Sequence, residues 1–217
     1  MNTAKILVTG LPRTGTTSVC IAALHLGIKT AHTAYTREAL GQAQLLADTP
    51  VFCDYKNLVT IYPNSKLLHL SRPFELWLPS IKRLMTAMQN NLLSQRGGFN
   101  DTIKRCYLSV FPEFDKHFDS DNFWFDCYQR HQQQVYQFAQ QHQLPLLDVT
   151  IDQADIGSQL AAYIGNGKAG TVAVPHVNIG GKVTAWKWIS HPLKVESTRA
   201  GKADKDALLY SEPFANT

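Results

Sequence analysis

The chain has 217 residues, 44% hydrophobic and 18% charged, with a formal net charge of +4: ordinary globular fractions, enough for one sizeable core and too little for two. The mild positive charge suits an anionic small molecule and does not argue for nucleic acid. Four scattered cysteines (Cys20, Cys53, Cys106, Cys127) form no C-x-x-C pair, so they read as reduced, mostly buried thiols with no metal site. The first apolar run is short and meets Gly10 and Pro12, and no stretch approaches the length of a membrane span; the expectation is a cytoplasmic protein.

Residues 4–9 (AKILVT) read as a short buried strand ended by glycine. Residues 15–26 read as a helix with Val19, Ala22, Ala23 and Leu26 on one face, stopped at Gly27. Next come a strand over 28–33, a helix rich in Ala, Leu and Gln over 36–47, and apolar strand runs at 50–54 (PVFCD) and 66–71 (KLLHLS). Helices are expected over 74–94, after Pro73, and over 121–142, then a strand at 145–149 (PLLDV) and a helix over 152–163. The glutamine-rich YQRHQQQVYQFAQQHQ sets Tyr128, Val135, Phe138 and Ala139 near helical spacing, so it reads as a solvated helix. Strands alternating with helices predict an α/β protein whose parallel sheet is covered on both faces. From Gly165 the periodicity is poor, and residues 165–217 read as a wrapping or lid-forming tail of a single domain spanning 1–217.

The segment KILVTGLPRTGTTSVC carries the chemistry. Gly10 and Gly15 frame four residues as in the phosphate loop G-x-x-x-x-G-K-S/T, but Thr16 stands where the lysine belongs. Arg13 lies inside the loop instead, and Thr14, Thr16, Thr17 and Ser18 add four hydroxyls. A helix N-terminus presents unpaired N–H groups and partial positive charge, and flanking glycines let the backbone bend around an anion. Anion binding is the expectation; a tight strand-to-helix turn capped by threonines is the plainer alternative. The dinucleotide pattern G-x-G-x-x-G is absent.

TGLPRTGTTS resembles the 5′-phosphosulfate loop of sulfotransferases, P-K/R-S/T-G-T-S/T, and SKLLHLSRPFELWLPSIKR resembles the family's R-D-P-x-x-x-x-x-S segment. Arg72 and Ser80 keep the spacing of that second pattern, while Pro73-Phe74 replaces its Asp-Pro. LADTPV, YPNSKLLHLSRPFELWLPSIKRL, RHQQQV, LPLLDV and VPHVN are similar to successive landmarks of a small bacterial and animal sulfotransferase-like group, covering about residues 4–178. The resemblance implies a three-layer α/β sandwich of the P-loop type shared with nucleotide kinases. It implies the co-substrate 3′-phosphoadenosine 5′-phosphosulfate (PAPS), the product adenosine 3′,5′-bisphosphate (PAP), no required metal, and a small-molecule or glycan acceptor. Pro12, Arg13, Thr14, Gly15, Thr16, Thr17 and Ser18 would then hold the phosphosulfate, and Arg72 and Ser80 the 3′-phosphate.

Such transfer is an in-line displacement at sulfur, needing alignment and charge stabilisation on the bridging oxygen, here from Arg13. The family also implies a base near the end of a following strand. PVFCDYKNL makes Asp54 the first choice, though Asp54 reads equally as a helix N-cap ahead of YKNLVTIY. Lys56, two residues on, could orient the leaving group or the base. His32 is the second choice for the base, at the end of its strand. His69 reads as a satisfied sheet histidine, and His176 as structural or acceptor-side. Gly180-Gly181-Lys182 and Arg199-Ala200-Gly201-Lys202 are candidates for a late nucleotide loop or a solvated basic tail. Trp186, Trp188 and His191 could line an acceptor pocket or simply pack. Two other functions fit less closely: a nucleotide-binding relative without turnover, and a small-molecule kinase, against which the missing lysine counts.

Overall fold

The apolar run after Ala4 becomes β1 (Ile6–Val8), which feeds the glycine-framed loop and then α1 (Thr16–His25). The computed structural model describes residues 4–95, 98–165, 170–182, 185–196, 198–199 and 202–203. In order follow β2 (Thr30–Ala31), α2 (Arg37–Gln42), β3 (Leu45–Ala47), α3 (Val51–Ile61), β4 (Lys66–Ser71), α4 (Phe74–Leu93), α5 (Asp101–Val110), α6 (Asp121–Gln141), β5 (Leu146–Thr150) and α7 (Ile156–Ile164). A short 3₁₀ turn (Ile179–Gly181), α8 (Ala185–Trp188) and a small antiparallel pair, β6 (Thr198–Arg199) with β7 (Lys202–Ala203), complete the described part. No described helix is long and apolar enough to cross a membrane.

The main sheet runs β2-β3-β1-β4-β5, and all its pairings are parallel. Side chains alternate across it, as strand geometry requires. Ile6, Val8, Leu45, Ala47, Leu68 and Leu70 face a core completed by α1 and α7. Leu7, Leu46 and Leu67 face the opposite core, filled from α2, α3 and α6. A third cluster, rich in aromatics, ties α3, α4, α5 and α6 together through Phe52, Trp77, Phe111 and Trp124. Helices thus cover both faces of a parallel sheet, the α/β architecture expected from the strand–helix alternation.

Three stretches depart from the sequence reading. The segment 36–47 is not one helix: α2 ends at Gln42, Ala43 turns extended, and β3 follows between β1 and β2. Its helix-forming residues are overruled by the two sheet partners available on either side. The run 50–54 is not a strand but the start of α3, where Val51, Phe52, Tyr55, Leu58 and Val59 form a buried helical stripe. Finally, α5 was not expected; Asn100 caps it by accepting from the Ile103 N–H at 2.9 Å.

One buried lysine anchors the sheet. Lys5, 1% exposed, donates from Nζ to the carbonyls of Gly41 (2.8 Å) and Ala43 (2.5 Å). It satisfies acceptors at the C-terminal end of α2, where a cation is favoured.

Candidate active site

The loop between β1 and α1 is shaped by close approach. A Cβ on Gly10 would lie 2.6 Å from Leu70 Cβ and 2.8 Å from the Leu70 carbonyl, so only glycine lets the loop pass β4. Gly15 has φ +105°, and a Cβ there would meet Ile151 Cγ1 at 2.4 Å. Arg13 adopts φ 75°, a left-handed conformation that non-glycine residues enter at a cost of about 1–3 kcal/mol. The loop is secured from its carbonyl side. Trp77 Nε1 donates to Pro12 O (2.9 Å), Thr14 Oγ1 to Leu11 O (2.7 Å), and His131 Nε2–H to Thr9 O (2.7 Å). No side chain caps the N-terminus of α1, so its first N–H groups and partial positive charge are left for an incoming anion. Thr14, Thr16, Thr17 and Ser18 are all buried.

A second group assembles where β2 and β3 end. Their register pairs Ala31 with Leu46, so His32 and Asp48 leave neighbouring strands on one sheet edge. Asp48 is also left-handed, at φ 60°, and its Oδ1 accepts from the Thr49 N–H at 2.8 Å. Its Oδ2 accepts from Thr16 Oγ1 at 3.2 Å and lies 3.6 Å from His32 Nε2. Nε2 of His32 is 2.8 Å from Thr17 Oγ1 and 3.3 Å from Thr16 Oγ1. Trp186 lies against the imidazole, ring centroids 5.6 Å apart. Burial lowers the His32 pKa, while the Asp48 charge pulls the other way. The imidazole is therefore neutral at pH 7, with Asp48 beside any proton that reaches Nε2.

The third group joins the loop to β4, α4 and the tail. Arg13 Nε donates to Ser80 Oγ at 2.9 Å, Nη2 to Asn178 O at 2.9 Å and Nη1 to Lys182 O at 3.1 Å. Arg72 Nη1 donates to Arg13 O at 3.3 Å. Tyr128 clamps the Arg72 backbone, donating to its carbonyl (2.8 Å) and accepting from its N–H (3.2 Å). Asn178 Nδ2 donates to Thr17 Oγ1 at 3.2 Å, linking this group to His32. Burial and the nearby Arg72 charge lower the Arg13 pKa, yet a guanidinium remains a cation at any working pH. Loop, Arg72, Ser80 and His32 thus lie in one continuous hydrogen-bonded network.

A family model described as a sulfotransferase domain matches residues 5–38 and 32–183. The chain belongs to the sulfotransferase domain family. That match spans the glycine-framed loop, His32, Asp48, Arg72, Ser80 and Asn178. Among curated proteins, no match to the chain was found.

Within this sulfotransferase domain Lys182 joins the network through its carbonyl and Trp186 packs on His32, while the other remaining candidates fall outside it. Asp54 is not at a sheet edge, because its segment is helical. It sits in the first turn of α3, 4% exposed, with Oδ1 and Oδ2 taken by Arg105 Nη1 (2.7 Å) and Nη2 (2.6 Å). Nor does it cap the helix, whose N-cap is Pro50. Lys56 is exposed, with its Nζ 5.8 Å from the centre of the Tyr55 ring. His69 is buried in β4 with Nδ1 3.1 Å from Thr9 Oγ1, and burial pushes its pKa down to about 4. His176 lines an open cleft of about 260 Å³ together with Ile151, Gln153, Gly157 and Val172. Trp186 is buried against His32, and Trp188 is 75% exposed. His191 Nδ1 accepts from the Leu193 N–H at 3.2 Å. Lys182 reaches Arg13 through its backbone carbonyl. Ala200, Gly201 and the side chains of Arg199 and Lys202 lie outside the described residues.

Sequence reasoning missed Asp48 and Asn178 as site residues. Asp48 belongs to LADTPV, at the carboxyl end of a strand hidden in a run of helix formers; Asn178 ends VPHVN. Both motifs were visible, but the pairing that aims their polar atoms was not.

Proposed function

We propose that this sulfotransferase domain moves a sulfuryl group from PAPS to a hydroxyl or amine of a small-molecule or glycan acceptor. The supporting observation is that Arg13 bridges two places suited to anions: the uncapped N-terminus of α1 and the Arg72–Ser80 pair. A nucleotide anionic at both ends fits that bridge. Pro12 to Ser18 would cradle the 5′-phosphosulfate, with Gly15 clearing room for the backbone. Arg72 and Ser80 would take the 3′-phosphate, and the cleft beside Ile151 adjoins the loop where a nucleoside could lie.

In the step itself the acceptor heteroatom forms a bond to sulfur, and the bond from sulfur to the bridging oxygen breaks. PAP departs with that electron pair. Arg13 and the α1 amides stabilise the charge growing on the bridge. The transferred group carries less charge than a γ-phosphate, so a protein cation serves where a kinase shares a metal. His32 is our candidate for the base: neutral, at the strand ends, with Asp48 positioned to stabilise the imidazolium. Asp54 is fully engaged by Arg105 and is not assigned this role.

A thermal-denaturation assay tests the donor. PAP at a hundredfold excess over its Kd should stabilise the protein by about 2.7 kcal/mol, a shift of roughly 5–10 °C for a chain of this size, and ATP with magnesium should do little. No response to PAP would remove the PAPS reading. Labelled-sulfate transfer across an acceptor panel then tests turnover; His32→Gln and Asp48→Asn should each lower kcat about 10²–10⁴-fold while PAP binding persists. A second reading is a domain that binds PAP without transferring sulfate. It is favoured by one observation, that tail carbonyls already occupy two of the Arg13 donors, and it predicts the thermal shift with no transfer.

A further inference from the structure

Away from this network, four reactive groups meet between α3 and α5. Cys53, Asp54 and Cys106 present their sulfur and carboxylate atoms within 4.8 Å of one another. Both oxygens of Asp54 are held by Arg105, so the carboxylate already has its cation and the cluster is poorly suited to a metal. What remains is a pair of thiols with unequal surroundings. Cys106 is fully buried, whereas Cys53 is only partly so. Cys53 Sγ is 3.1 Å from Ser109 Oγ and 3.8 Å from Arg105 Nη1. It also lies in the first turn of an 11-residue helix, where the helix dipole favours negative charge. A partner thiol, a hydroxyl, a guanidinium and a helix N-terminus all favour thiolate over thiol.

We propose that Cys53 and Cys106 form a peroxide-reactive dithiol, with Cys53 the attacking and Cys106 the resolving cysteine. The Cys53 thiolate attacks one oxygen of a peroxide, forming an S–O bond as the O–O bond breaks and hydroxide leaves. The resulting sulfenic acid is attacked by Cys106 sulfur, which loses its proton; an S–S bond forms and water departs. Peroxide is reduced by two electrons, and the two thiols are oxidised to one disulfide. The surroundings separate the roles: hydrogen bonding from Cys106, then from Ser109, lowers the Cys53 pKa against the effect of burial, while the Cys106 thiol is pushed well up. Cys20 and Cys127 take no part. Cys20 is buried in the core against the sheet, and Cys127 is bonded by Arg130 on α6.

The test uses the full chain, reduced and then treated with hydrogen peroxide under native conditions. Mass spectrometry after alkylation should show loss of two hydrogens and a Cys53–Cys106 cross-linked peptide that dithiothreitol reverses, with Cys20 and Cys127 still alkylated. Cys106→Ser should stop the reaction at a Cys53 sulfenic acid trapped by dimedone, and Cys53→Ser should leave Cys106 unoxidised. Both thiols remaining alkylatable in the wild-type protein, or Cys53 bridged to another cysteine or to a second chain, would overturn the proposal. The wild-type map decides even where a variant fails to fold.

Discussion

Asp54 and Asp48 show how one residue type divides between a structural ion pair and the candidate site. Asp54 forms a two-pronged pair with a guanidinium that is 33% exposed, so solvent screens part of the attraction. Asp54→Asn leaves Arg105 without its counter-charge beside two thiols. We expect a loss of about 1–3 kcal/mol in urea unfolding, with sulfate transfer per folded molecule unchanged. A large fall in turnover at full folding would return Asp54 to the site. At this scale the candidate site was legible in the sequence where its residues lie close together along the chain. Arg13, Thr16 and Thr17 stand close together across the loop and the first turn of α1, and Arg72 just precedes α4, whose second turn carries Ser80. Asp48 was not legible, because its partner His32 lies sixteen positions earlier and meets it only once β2 and β3 pair in register.

Among the elements, α4 matters twice. It supplies Ser80 to Arg13 and, through Trp77 Nε1, fixes the Pro12 carbonyl at 2.9 Å. Trp77→Phe keeps most of the buried ring but leaves that carbonyl without its donor. The expected cost is about 1–3 kcal/mol, with PAP binding weakened because the loop loses a tether; thermal melts with and without PAP measure both. The long periodic helices α4 and α6 were readable from their apolar stripes. Two short elements were not. β3 has three residues in a sequence that favours helix, and the sheet alone makes it a strand. The first turn of α3, seen as five residues, offers too little of its stripe to show the period.

For the molecule as a whole, acid is the vulnerable direction. Burial lowers the pKa of His69 to about 4 and, with the neighbouring His69 charge adding to it, that of His131 to about 3. In the unfolded chain both titrate near 6.5. As pH falls below that value the unfolded state takes up protons that the folded state refuses, so stability is complete above about 6.5 and drains away toward 3–4. Unfolding free energy should drop by about 2–4 kcal/mol between pH 7 and pH 5. Urea titrations at the two values check this, and an unchanged midpoint would contradict it.

The bonds that finish the loop join distant parts of the chain. Arg13 reaches Asn178 and Lys182 across separations of 165 and 169 residues. A ribosome adding about 5–20 residues per second makes Arg13 roughly 8–33 seconds before Asn178. Throughout that interval the β1–α1 turn can exist, but its arginine has no tail to grip. The emerging chain must therefore carry an unfinished candidate site until the segment through Lys182 has emerged. The grip on Arg13 closes only once the segment carrying Asn178 and Lys182 has been made and has folded back.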